Sequence, residues 1–129
     1  MAKKKEKEKN IIKNGDLQYD GHFVNDKKEG TGKYFFTNGE YYEGEFLNDK
    51  KEGKGKIYYS NGYLKYDGDF VNDKAEGQGT YNFENGNYYI GQFSNNNKHG
   101  EGIVYSYYGN VIYEGSFVDD VPSGYCLIF

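Results

Sequence analysis

The 129-residue chain has room for one domain, and a hydrophobic content of 36%, with 19% aromatic residues, excludes an ordinary aliphatic core. Glycine (19) and tyrosine (16) dominate, Pro occurs once and Trp never, so burial has to come mainly from Tyr and Phe. The net charge is −4 and every one of the 16 basic residues is Lys, which argues against a nucleic-acid partner and removes the planar fork that usually reads phosphate.

The chain begins MAKKKEKEKN, whose five Lys and two Glu carry +3 and leave −7 on the remainder. Residues 1–10 therefore read as a solvated, disordered tail in preference to a nuclear signal or a lipid-binding patch. No apolar run approaches a membrane span or a signal-peptide core, so a cytoplasmic location is expected. Ala2 excludes N-myristoylation, and the single Cys excludes an internal disulfide.

From Ile11 to Lys13 a partial first strand can be drawn, followed by Asn14-Gly15 as a turn. One phrase then recurs five times: YDGHFVNDKKEG from Tyr19, YEGEFLNDKKEG from Tyr42, YDGDFVNDKAEG from Tyr66, YIGQFSNNNKHG from Tyr89 and YEGSFVDDVPSG from Tyr113. Phe follows Tyr by four, a Gly follows Phe by seven, and four copies continue as G-x-G. The fifth reads Gly124, Tyr125, Cys126, with Cys in a Gly slot.

Y-x-G-x-F has the period of a strand, and N-D-K-K-E-G reads as a polar loop ending at a Gly. Within the second copy a constant sum of 99 sets Phe46 against Gly53, Gly44 against Gly55 and Tyr42 against Ile57, so that each Phe ring lies over a Gly. Glu45 then faces Lys54 and Glu43 faces Lys56 on the outer side. The inner side carries one aromatic surface, from which Tyr42, Tyr59, Tyr66, Phe70, Tyr81, Tyr89 and Phe93 are the candidate partner-binding groove.

Spacings between leading tyrosines run 23, 24, 23, 24, a true period of 47. Two-residue turns at Asn61-Gly62 and Tyr108-Gly109 keep Leu64 and Val111 inward, as Leu17 is after Asn14-Gly15. The links through Asn38-Gly39 and Asn85-Gly86 need an odd loop to avoid flipping the face. The expected fold is all-β: an elongated, twisted single-layer antiparallel sheet of five consecutive hairpins, ten strands over residues 11–129.

On the outer face the charged positions turn apolar toward the end of the chain. Ile90, Ile103, Tyr105, Ile112, Leu127, Tyr125 and Phe129 form a candidate C-terminal interface, with Tyr105 expected opposite Ile112 and a homodimer through the last strand within reach.

The five copies in register resemble the MORN (membrane occupation and recognition nexus) repeat, whose motif is Y-x-G-x-F with G-x-G about nine residues on. The resemblance spans Tyr19 to Phe129. It implies an elongated sheet of hairpins acting as a scaffold or adaptor for protein partners, in cytoskeletal, ciliary or cortical structures, and for some members a link to phospholipid.

Little points to chemistry. His22, outward in a strand, and His99, in a loop, occupy non-equivalent repeat positions and make no metal or catalytic pair. The recurrent carboxylates follow the repeat as a solvated face, and the G-x-G elements lack the ending of a phosphate loop. No catalytic constellation, cofactor site or metal site is expected, so the chain reads as a non-enzymatic binding protein.

The ending CLIF matches a prenylation box at Cys126. With the Lys-rich start it supports a rival reading, a peripheral membrane adaptor that binds phospholipid. The repeat register favours a last strand instead, with Gly124, Cys126 and Ile128 inward against Phe117, Gly115 and Tyr113.

Overall fold

The computed structural model describes the backbone of residues 9–13 and 15–128, and side chains at residue 11 and residues 15–123. Most of the expected tail, residues 1–8, lies outside the described residues, whereas Lys9 and Asn10 already belong to a strand.

Among the described residues, eleven strands form one open antiparallel sheet in chain order. They are β1 (Lys9–Lys13), β2 (Asp16–Val24), β3 (Lys27–Phe35), β4 (Tyr41–Leu47), β5 (Lys50–Tyr58), β6 (Leu64–Val71), β7 (Lys74–Asn82), β8 (Tyr88–Ser94), β9 (Asn97–Tyr105), β10 (Val111–Val118) and β11 (Val121–Ile128). Every neighbour in the sheet is a neighbour in sequence, so each contact is local and the molecule grows by repetition.

Two kinds of turn alternate. Each repeated phrase bends on only two residues, Asn25-Asp26, Asn48-Asp49, Asn72-Asp73, Asn95-Asn96 and Asp119-Asp120, all with φ between 46° and 72°. This is the left-handed geometry of a type I′ turn, which Asn and Asp tolerate better than other side chains. The expected N-D-K-K-E-G loop is therefore corrected: Lys27, Lys50 and Lys74 already start the return strand.

The links from β3 to β4, β5 to β6, β7 to β8 and β9 to β10 all use one three-residue loop. Phe36 N–H bonds Glu40 O (2.8 Å) and Gly39 N–H bonds Phe36 O (3.1 Å), and the same pair of bonds closes the loops at 60–62, 84–86 and 107–109. A type I turn followed by Gly at φ near 90° is the standard three-residue hairpin. The two-residue turns expected at Asn61-Gly62 and Tyr108-Gly109 are corrected accordingly. The extra residue of the 24-residue links goes into a bulge instead. Lys65 lies between the pairs Ile57↔Tyr66 and Tyr58↔Leu64, and Ile112 between Tyr113↔Val104 and Val111↔Tyr105. Tyr105 thus faces Val111, not Ile112.

A second irregularity sits inside every hairpin. Gly44 pairs with Gly55 and Tyr42 with Ile57, as the constant sum requires, but Phe46 pairs with Lys51, so Glu45 alone faces Glu52, Gly53 and Lys54. The Glu45 carboxylate fills the gap in the ladder by accepting the Lys54 N–H at 2.6 Å, and Gln92 does the same for Glu101 at 2.8 Å. Glu45 and Lys54 consequently meet through the backbone, while the Lys54 ammonium bonds Asp69 of β6. The last hairpin repeats the slip: Ile128 and Leu127 keep their expected partners Tyr113 and Glu114, whereas Phe117 faces Pro122 in place of Gly124.

The slip changes what each glycine does. Phe46 lies opposite Gly30 of the preceding hairpin, Phe70 opposite Gly53 and Phe93 opposite Gly77. The Gly that opens G-x-G turns the bulge at positive φ, 92° at Gly53. The second Gly serves the tyrosine. A methyl on Gly55 would stand 2.5 Å from Tyr42 Cζ, and one on Gly44 would stand 2.7 Å from its hydroxyl, so the Tyr42 ring lies flat over both strands.

The phenol then reaches a carbonyl at the bulge. Tyr42 donates to Glu45 O (2.7 Å), and Tyr19, Tyr66, Tyr89 and Tyr113 donate to His22, Asp69, Gln92 and Ser116 O at 2.7–3.0 Å. Each of these rings is edge-on to the Phe of its own strand, and Tyr19, Tyr42, Tyr66 and Tyr89 also to the Phe of the next hairpin, at centroid distances of 5.0–5.3 Å. Five Tyr and five Phe form one continuous zipper, the core of the molecule.

Successive hairpins are also clasped at the type I′ turns. Asp49 accepts the Lys28 N–H (2.7 Å) and donates its own N–H to Lys28 O (3.0 Å), and Asp73 and Asp120 hold Lys51 and Lys98 in the same way. The ammonium groups close the pairs at 3.3–3.7 Å. Where the lysine is replaced by Ala75, the clasping residue is Asn96 and not Asp, so the charge is missing from both sides at once.

Candidate partner-binding surfaces

Of the seven candidate groove residues, Tyr42, Tyr66, Phe70, Tyr89 and Phe93 are 0–6% exposed. They face each other within the zipper and offer no surface, which corrects their expected role. Burial also raises the pKa of their phenols: Tyr89 is pushed to about 12 and Tyr42 and Tyr66 higher still, each because ionisation inside the packed sheet loses hydration. Tyr59 and Tyr81 are half-buried and stay at the surface.

What remains partly open on the inner side is a second row packed against the zipper, Tyr34, Phe36, Ile57, Tyr81, Phe83 and Val104. Beside it lies a groove of about 730 Å³ between the three-residue loops, lined by Tyr59, Tyr63, Leu64, Phe83, Glu40, Glu84 and Tyr107 with several Asn. Tyr59 is fixed there by donating to Asn82 O at 2.5 Å, and Tyr107 stacks on the loop where Gly86 leaves space. Lys65 bridges to the Glu40 carboxylate at 2.8 and 3.1 Å, with its ammonium 5.4 Å from the Tyr59 ring centroid.

Sequence reasoning missed Tyr63 and Tyr107 because both lie in loops, outside the alternating pattern. Their signal was a Tyr placed beside Asn-Gly or Tyr-Gly, a large ring where turns prefer small polar residues. A smaller recess of about 360 Å³ lies between Lys28 and Lys51, where each ammonium rests over aromatic rings. Burial lowers the Lys51 pKa, and the Asp73 carboxylate opposes that effect.

The outer face is a cross-strand row that can be read in one line: Asp20, Lys33, Glu43, Lys56, Asp67, Thr80, Ile90, Ile103, Glu114 and Leu127. Charges alternate in sign up to Asp67, after which Glu114 is the one charged residue in the row. Ile90, 44% exposed, and Ile103 are direct neighbours, and beside them Tyr88 stacks on Tyr105 at 5.0 Å. Tyr88 was not foreseen in this patch, and Ile112, set in the bulge, is half-buried at its margin. Side chains of Tyr125, Cys126 and Leu127, and all of Phe129, lie outside the described residues, while the backbone of Cys126 runs within β11.

His99 lies in β9, not in a loop, and its Nδ1 accepts the Asp119 N–H at 3.4 Å where other hairpins use Glu52 or Glu76. Among the described residues no group of three or more His, Cys, Asp or Glu could hold a metal ion, and no helix is long and apolar enough to cross a membrane.

A solenoid of β-hairpins held by a Tyr/Phe zipper, with further apolar surface at the loops and on the outer face of β8 and β9, is the architecture of a repeat protein. The sequence profile described as MORN repeat matches residues 19–41, 42–62, 66–88, 89–109 and 113–127, and the chain belongs to the MORN repeat family. No curated protein matches it. The family is generally associated with interaction with proteins or membranes, and is a scaffold type not known for enzymatic activity.

Proposed function

We propose that the chain is a non-enzymatic scaffold that holds a segment of another protein in the inner groove between its three-residue loops. The observation that carries this reading is the division of labour on the aromatic face. Tyr and Phe of the repeated motif are consumed by the zipper, whereas Tyr63 and Tyr107, in loops, are 73% and 68% exposed beside an open groove. Exposed tyrosines with little rotamer freedom make effective contact residues. The Ile90, Ile103, Tyr88 and Tyr105 patch, with the open edge of β11, supplies a second contact, to another partner or another copy.

Capture experiments with the variants Tyr63→Ser plus Tyr107→Ser, and separately Ile90→Ser plus Ile103→Ser, assign the surfaces. The first pair is expected to lose the captured protein, and the second to lose only self-association by light scattering. Unchanged capture by the first pair removes the groove from the account. Binding to anionic vesicles that persists in both variants points to membrane attachment instead.

A further inference from the structure

Building on the groove reading, we infer that the groove between the 60–62 and 84–86 loops accepts a cationic side chain, so that its occupant is a protein segment bearing Lys or Arg between apolar residues. The lining residues include two carboxylates, Glu40 and Glu84, and no Lys. Tyrosine rings and Phe83 make the walls, and an aromatic face attracts an ammonium or guanidinium through its quadrupole.

The fold contains its own example of such a contact. Lys65 Nζ lies 2.8 Å from the Glu40 carboxylate and 5.4 Å from the centroid of the Tyr59 ring, so one ammonium is already held between a carboxylate and an aromatic face. Glu84 has the same kind of surroundings but makes no ion pair among the described residues. Glu84 is an exposed residue of the groove lining, beside Phe83 and in the same lining as Tyr107, where an incoming cation completes the arrangement. A net charge of −4 favours the approach of a basic partner over an acidic one.

Three eight-residue peptides test this: alternating Arg-Leu, alternating Ser-Leu and alternating Glu-Leu, each titrated into the full chain and followed by NMR shifts of the groove residues. The Arg-Leu peptide is expected to shift Phe83 and Tyr107, and Glu84→Gln to weaken it about three- to tenfold, the size of one exposed cation–ring and carboxylate contact. The zipper resonances should not move. If Ser-Leu binds the groove as tightly as Arg-Leu, or if Glu84→Gln changes nothing, the cation inference is overturned while the groove reading survives. If none of the three peptides moves a groove resonance, both are overturned.

Discussion

Replacing Gly55 by Ala puts a methyl 2.5 Å from Tyr42 Cζ, a separation that real atoms do not hold, so something has to move. The backbone is locked by pairing to Gly44 on one side and Gly68 on the other, which leaves the Tyr42 ring to give way. Once displaced, it loses the 2.7 Å bond to Glu45 O and its edge contacts to Phe46 and Phe70, at 5.1 and 5.2 Å. A buried carbonyl left without a donor costs about 1–3 kcal/mol, and each edge-to-face pair contributes about 0.5–1.5 kcal/mol. Gly55→Ala should therefore destabilise by about 2–6 kcal/mol in urea unfolding followed by circular dichroism. Tyr42→Phe, which removes only the hydroxyl, should cost about 1–3 kcal/mol. The diagnostic variant is Gly55→Ala with Tyr42→Leu: with the ring gone, the methyl has room, and the double variant should lie at least about 1 kcal/mol above the sum of the singles. Strict additivity, or a Gly55→Ala cost below about 1 kcal/mol, refutes the ring-over-glycine account.

Other consequences are equally direct. Ala75→Lys alone should destabilise, because Ala75 is 6% exposed, and adding Asn96→Asp should recover about 0.5–1 kcal/mol by restoring the clasp of the other hairpins; a double-mutant cycle measures it. Asn48→Ala should cost about 1–2 kcal/mol, since φ is 50° there, whereas Asn48→Gly should be tolerated; equal costs for the two would contradict the type I′ turn. Above about pH 10, where unfolded phenols begin to ionise, stability should fall as pH rises, because Tyr89 keeps its proton to about pH 12 and burial pushes Tyr42 and Tyr66 up as well. A denaturation midpoint unchanged up to about pH 12 would argue against buried phenols.

The repeat, its ten strands and the inner position of Tyr and Phe were legible because a period of two and a period of 47 are properties of the sequence itself, whereas β1, which starts at Lys9 inside the expected tail, lies outside the repeat. The register inside each hairpin was not, since a constant-sum rule assumes an unbroken ladder and Gly53 gives no sign of whether it makes room for a ring or turns a bulge. That slip moves Phe46 from Gly53 to Gly30, and so from its own hairpin to the preceding one. The same limit applies to the site. Tyr42 and Tyr59 look alike in the alternating pattern, but burial of Tyr42 depends on Phe70 arriving from the next hairpin, and no partner of that kind covers Tyr63 or Tyr107. The charge clasp was visible only in hindsight: Lys28, Lys51 and Lys98 stand opposite Asp49, Asp73 and Asp120, and Ala75 opposite Asn96.

The account rests on an aromatic face divided between core and binding surface, and nitration of the native chain by tetranitromethane, mapped by peptide mass spectrometry, reads that division residue by residue. Tyr63, Tyr107 and Tyr108, 68–86% exposed, should react first, and Tyr19, Tyr42, Tyr66, Tyr89 and Tyr113, at 0–6%, only after unfolding. Reaction of the five motif tyrosines in the native chain at the rate of Tyr107 would contradict it, and would return the binding surface to the repeated motif.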